Sequence, residues 1–195
     1  MKKGRVYTLD YRRKRKGKTN YRTRLKLLAS GKSRVIVRRM LNNIGMQLVN
    51  FESKGDKILV SCNSRELLKY GWKGHRGNIS SAYLIGLLCG FKAKKKGINT
   101  GVADFGIYRS VQGSGLFAAL KGLLDAGFSI NVGKEVLPAD NRISGKHIES
   151  YAAHLKGKPE YEKQFSQYLK SGLKPEEFSK HFEEVKKKII EKWRG

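Results

Sequence analysis

The sequence predicts an α/β protein of the α+β kind: a mixed sheet made of an antiparallel three-strand meander and later parallel strands, with helices packed on it. A basic N-terminal arm precedes this core and a helical C-terminal extension follows it. Three observations carry the expectation. Between residues 33 and 62 three β-branched, partly alternating runs are joined by links too short to hold a helix. Between 63 and 132 apolar stripes of helical period alternate with two further strand-like runs. After Pro138 the strand pattern ceases. The chain divides accordingly into an arm (1–24), a mixed core (25–137) and a helical extension (138–195).

Taken in order, the first 24 residues have no apolar periodicity and are expected to be disordered or extended until bound. A short helix from Thr23, carrying Leu25, Leu27 and Leu28, leads to Gly31 as its C-cap. Strands follow at 33–40 (SRVIVRRM), 44–52 (IGMQLVNFE) and 57–62 (KILVSC), separated by the turn chemistry of Asn42-Asn43 and Lys54-Gly55-Asp56. Such short links make the three strands antiparallel neighbours. Asn63 with Glu66 has the form of a capping box, opening a short helix that stops at Gly71. A longer helix over 79–96 is apolar nearly all round and must be buried. A strand over 102–108, a helix over 114–126 and a last short strand over 128–132 complete the core, and the helical crossovers make the later strands parallel. Pro159 and Pro175 each suit a first helical turn. The final helix sets Phe178, Phe182, Val185, Ile189 and Trp193 on one stripe, which reads as a packing face.

Charge points to the partner. Lys and Arg total 42 against 16 Asp and Glu, a net +26 at pH 7. Residues 1–64 hold 18 basic and 3 acidic side chains, 65–155 hold 13 and 6, and 156–195 hold 11 and 7, so the excess falls from +15 to +7 to +4 along the chain. The densest run is DYRRKRKGKTNYRTRLKLL at 10–28. No compact domain stabilises so many like charges by itself, and a polyanion, RNA or DNA, is the expected partner. Residues 12–18 carry no apolar side chain, so they do not form a membrane-surface helix. No stretch approaches the roughly 18 apolar residues of a membrane span, and the start has no apolar signal region. An intracellular, soluble, cytoplasmic protein is expected. Cys62 and Cys89 are far apart in sequence and read as buried, reduced thiols.

Catalytic patterns are weak. Gly113-Ser114-Gly115-Leu116-Phe117-Ala118 has the form of a dinucleotide fingerprint, with Glu135 twenty residues beyond its second glycine. It does not follow the first strand of a βαβ unit, however, and reads better as a helix-capping turn. Asp104, Asp125 and Asp140 are not spaced to converge on a metal, and Asp104 is better explained by pairing with a cation or with backbone groups. The histidines at 75, 147, 154 and 181 form no ligand spacing. No catalytic residue, metal, cofactor or small-molecule substrate is expected. Lys94, Lys95 and Lys96 complement the negative end of the preceding helix. Trp72, with Lys73, His75 and Arg76 in a glycine-rich loop, is either a ring for stacking bases or a plug at the sheet edge, and the sequence leaves both open. Arg38 and Arg39 end a strand on opposite faces, so at most one is committed to structure.

The segments YRTRLKLL ending at Leu28, RVIVRRM at 34–40, RELLKYGWKG at 65–74, AYLIGLLCGFKAKKKG at 82–97, FGIYRS at 105–110, FAALKGLLDAG at 117–127 and RISGKHI at 142–148 closely resemble the large-subunit ribosomal protein eighteen family. The similarity is to its archaeal branch, related to eukaryotic large-subunit protein five. It implies a non-catalytic protein that binds 5S ribosomal RNA and helps attach it to the large-subunit rRNA in the central protuberance, beside neighbouring large-subunit proteins. Carried over by position, the RNA-binding residues are Arg12, Arg13, Lys14, Arg15, Lys16, Lys18, Tyr21, Arg22 and Arg24 of the arm, Arg38 and Arg39 on the strand, Gln47 on the next strand, and Trp72 and Lys73 of the loop. The rival is a general RNA-binding or RNA-chaperone protein without a fixed ribosomal site.

Overall fold

The computed structural model describes residues 8–194. The first seven residues of the expected arm lie outside the described residues. The arm beyond them is partly helical, where the sequence suggests a disordered or extended chain. A one-turn helix α1 (Arg12–Arg15) is followed by α2 (Tyr21–Ala29). Tyr11 and Tyr21 bring their ring centroids to 5.1 Å, holding the short turn against the longer helix. Helix α2 starts two residues before the expected Thr23 because the Asn20 side chain accepts the Thr23 N–H at 3.2 Å as its N-cap.

The sheet has the expected mixture. Strands β1 (Arg34–Arg39), β2 (Ile44–Glu52) and β3 (Gly55–Asn63) form the antiparallel meander. Strand β4 (Thr100–Asp104) runs parallel to β1 on its other side, and β5 (Ser129–Ile130) runs parallel to β4, giving the order β3-β2-β1-β4-β5. Strand β4 stops at Asp104, short of the expected 108. Gly106 turns the chain at φ +65° and its N–H donates to the Asp104 carboxylate at 2.8 Å. Between β3 and the helices, the Asn63–Glu66 capping box opens a 3-10 turn (Ser64–Tyr70) that ends at Gly71 with φ 84°, as the sequence indicates.

Helices α3 (Ile79–Lys95) and α4 (Gly115–Asp125) cover one face of the sheet. The inward residues Val35 and Val37 of β1 and Ile44, Met46 and Leu48 of β2 are at most 1% exposed beneath them. The two helices touch backbone to backbone. A Cβ built on Gly86 would overlap the Ala119 carbonyl, and one built on Gly122 would overlap the Tyr83 carbonyl. Ala82 faces Gly115, Gly86 faces Ala119 and Gly90 faces Leu123, a constant offset along both chains, so α3 and α4 run parallel.

The C-terminal segment is helical, in α5 (Asp140–Ser144), α6 (Lys146–Leu155), α7 (Pro159–Lys170) and α8 (Phe178–Arg194). Proline opens α7, and Pro175 opens the short 3-10 turn leading into α8. The stripe of α8 packs inward as its spacing indicates. Phe178, Phe182, Val185 and Ile189 belong to the same core as the sheet, and the Trp193 Nε1–H donates to the Tyr70 hydroxyl at 2.8 Å.

Gly86→Ala and Gly122→Ala are each expected to lower the stability by about 1–3 kcal/mol, because the added methyl must push two backbones apart. Gly115→Ala places its methyl 3.9 Å from the Ala82 Cβ and is expected to leave the midpoint unchanged or raised. Urea titrations of the three variants, followed by circular dichroism, check the contrast.

Candidate nucleic-acid interface

Alternation along β1 decides which side chains reach the face opposite α3 and α4. Val35 and Val37 point toward the helices, whereas Arg34, Ile36 and Arg38 point the other way. On β2, Gln47 stands directly opposite Ile36 and donates from Nε2 to the Ser61 Oγ on β3 at 3.3 Å. The arm and α2 lie over this face, and the space between is a cleft of about 580 Å³.

A chain of alternating charges builds the floor and one wall of the cleft. Arg24 Nη2 on α2 lies 2.9 Å from Asp56 Oδ1, and Arg34 Nη2 lies 2.7 Å from Asp56 Oδ2. Arg34 Nη1 donates to Asp104 Oδ2 at 3.0 Å. Arg38 Nη1 donates to the Asp104 carbonyl at 2.9 Å, and its Nη2 lies 3.5 Å from Asp104 Oδ1. Arg34 is 1% exposed, and a charge so deep is tolerated only with partners on both sides. Burial pushes the Asp56 carboxyl upward, but the hydrogen bonds and charges of Arg24 and Arg34 outweigh it and hold the group below its ordinary value of 3.8. The cleft is lined by five cations, Arg13, Lys18, Arg24, Arg34 and Arg38, against two carboxylates, Asp56 and Asp104, an excess of three positive charges.

The sequence-derived residues fall into four groups. Arg13, Lys18, Tyr21, Arg24, Arg38 and Gln47 line the cleft. Arg13 is steadied by a 2.8 Å bond from its Nε to Thr19 Oγ1. Arg12, Lys14, Arg15, Lys16 and Arg22 are exposed on the outside of the arm, where Lys14 pairs with Asp10 at 2.6 Å. Arg39 is exposed on the opposite face of β1 and lines a different cavity. Lys73 also lies apart from the cleft. Its side chain is exposed, while its N–H donates to His181 Nε2 at 3.0 Å and its carbonyl accepts from Ser171 Oγ at 3.1 Å.

Of the two roles the sequence left open for Trp72, the structure shows the packing one, which corrects its place among the RNA-binding residues: the ring is 1% exposed. It meets Phe178 edge-on at 5.6 Å between centroids and stacks on His181 at 5.3 Å. The tryptophan is the socket into which α8 docks, because an apolar ring gains more from that burial than from water. Burial holds His181 below the usual imidazole value, with Lys73 and Lys188 adding to the effect and Glu184 opposing it, so its Nε2 stays an acceptor for Lys73.

The candidate carboxylates are engaged in separate places. Asp104 binds the arginines above, Asp125 accepts from the Tyr83 hydroxyl at 2.7 Å, and Asp140 pairs with Lys121 at 2.6 Å. Among the described residues no three of His, Cys, Asp and Glu gather as a metal site. No helix of the described chain is long and apolar enough to cross a membrane. Sequence reasoning did not single out Arg34, Asp56 or Ile36. The one usable signal was that Arg34 and Arg38 share a face at period two.

A mixed α/β sheet with one face roofed by a cationic arm has the electrostatic footprint of the nucleic-acid-binding class of proteins. Residues 5–102 match the family described as ribosomal large subunit proteins 60S L5, and 50S L18. The chain belongs to that family and is therefore an rRNA-binding constituent of the large ribosomal subunit, with rRNA and other ribosomal proteins as its partners.

Asp104→Ala removes one partner of a buried guanidinium and is expected to destabilise the fold by about 3–5 kcal/mol in a urea titration. The Asp56 pairing gives a second expectation. A carboxylate held low when folded stabilises the protein above its unfolded pKa, and that contribution is lost as pH falls through the lowered folded value. Asp56→Asn is expected to be less stable than the parent at neutral pH and to lose less stability than the parent on acidification below about pH 4.

Proposed function

We propose that the RNA held by this protein is 5S rRNA, and that the protein acts without catalysis to seat it against the large-subunit rRNA in the central protuberance. The observation that supports this reading most is the arm cleft, where a surplus of cations surrounds a polar sheet surface. Arg12, Lys14, Arg15, Lys16 and Arg22 would replace counterions along the RNA backbone and supply affinity with a steep salt dependence. Arg13, Lys18, Arg38 and Gln47 would fix the orientation of the RNA on the sheet, with Tyr21 as the aromatic neighbour at the arm's root. Trp72 has no part in this reading, and Arg39 and Lys73 contribute to RNA contact only outside the cleft.

Deleting residues 1–19 leaves the Asn20 cap and the Arg24–Asp56 pair in place. The truncated chain is expected to lose most of its affinity for 5S rRNA in filter binding while its melting temperature changes little. Its logarithmic salt slope should also flatten by about 0.7–0.9 for each phosphate contact removed. Competition at fixed salt separates a fixed ribosomal site from general RNA binding: 5S rRNA should displace a labelled 5S probe far better than transfer RNA does. Equal competition by the two RNAs would sink the 5S assignment.

A further inference from the structure

The loop that carries Trp72 turns its tryptophan inward, yet its polar side chains border another cavity of about 480 Å³, apart from the arm cleft. The loop is fixed before any ligand arrives. The Trp72 Nε1–H donates to the His75 carbonyl at 3.4 Å, and the Gly77 N–H donates to His75 Nδ1 at 3.1 Å. The Lys73 backbone is bonded on both sides, to His181 and to Ser171. Gly74 sits so close on the Trp72 ring that a Cβ there would lie 2.6 Å from it. A loop held in this way loses little freedom when it binds something.

The cavity gathers polar groups that have nothing to bind. Of the residues lining it, Asn42, Lys73, Arg76 and Gln167 have side chains that make no hydrogen bond or ion pair among the described residues. With Nδ1 accepting from Gly77, the neutral His75 ring carries its proton on Nε2, a further donor. No Asp or Glu lines this cavity, whereas in the arm cleft Asp56 and Asp104 occupy three arginines. The lining also has an apolar part. Leu68 is 53% exposed, and Tyr168 is half-buried with its ring steadied edge-on against Phe178 at 5.9 Å. A phosphate alone would use the cations and leave the ring and the amides idle. A nucleotide uses all three, since its base needs a flat apolar contact and mixed donors and acceptors at its edge, and its phosphate needs cations. The volume is within the range of small-ligand sites.

We propose that this cavity holds a single unpaired nucleotide. The base lies against Tyr168 and Leu68, Asn42 and Gln167 bond its edge, and Lys73 and Arg76 hold its phosphate. The site is separate from the arm cleft and does not depend on which RNA the arm holds. The same chemistry serves a nucleotide turned out of an RNA strand or a free mononucleotide.

The test follows the side-chain amides of Asn42 and Gln167 and the backbone amide of Arg76 in the ¹⁵N-labelled full chain at constant ionic strength. The probes are the four ribonucleoside 5′-monophosphates, with inorganic phosphate as the control. Saturable shifts at all three positions are expected with at least one mononucleotide, at concentrations where phosphate gives none. Arg76→Ala should weaken this binding about tenfold, the loss expected for one charge-assisted hydrogen bond. Gln167→Ala should weaken it less and alter the preference among the four bases. Both variants should keep the parent's melting temperature, since neither side chain has a partner to lose. A single-stranded tetraribonucleotide of the preferred base that binds more tightly than the mononucleotide identifies RNA as the source, whereas weaker binding identifies a free nucleotide. Absence of saturable shifts with all of these nucleotides, equal shifts with inorganic phosphate, equal binding of an RNA duplex without unpaired bases, or unchanged affinity in both variants would overturn the proposal.

Discussion

The contact that the rest of the fold depends on is the one between the backbones of α3 and α4. Gly86 and Gly122 remove the side chains that would hold these helices apart, so the pair forms a thin, dense slab over the sheet. The slab is joined to the sheet through β4, because α3 leads into that strand and α4 leads out of it. It also gives α8 a firm surface, against which Phe182 and Val185 pack. With the helical layer rigid, the opposite face of the sheet is free to be polar, and this is the face the arm covers.

On that polar face, function and stability share the same residues. Arg38 is a proposed RNA contact and is also tied to Asp104, and Arg24 both lines the cleft and fastens α2 to the start of β3 through Asp56. The arm is therefore not a loose tail added to a finished core. Its root is bonded to the sheet, while Arg12 to Lys16 project from a helical turn that the core does not need.

The succession of strands and helices along the chain, the mixed pairing and the apolar stripe of α8 were legible because each rests on local periodicity and short links. The capping box at Asn63 and Glu66 was legible for the same reason, since both partners lie within one turn. The charge of the arm was plain, but its helical form was not, because it depends on one Tyr11–Tyr21 contact and one Asn20 cap. Trp72 could not be assigned from its neighbours, as its burial is decided by Phe178 and His181 more than a hundred residues later. The pairing of Arg34 with Asp56 and Asp104 was equally hidden, because it joins three strands distant in sequence.

The alternating row Arg24, Asp56, Arg34, Asp104, Arg38 starts and finishes with a cation. Internally it behaves like a short ionic lattice in which each carboxylate is shared by two guanidiniums, so neither end has an anion of its own. Both terminal arginines are partly open to solvent, at 31% and 38% of their side-chain surface. An incoming phosphate would extend the row by one more alternation without breaking any bond already present. The row thus ends one anion short on either side, an unfinished pattern whose two ends are open to solvent.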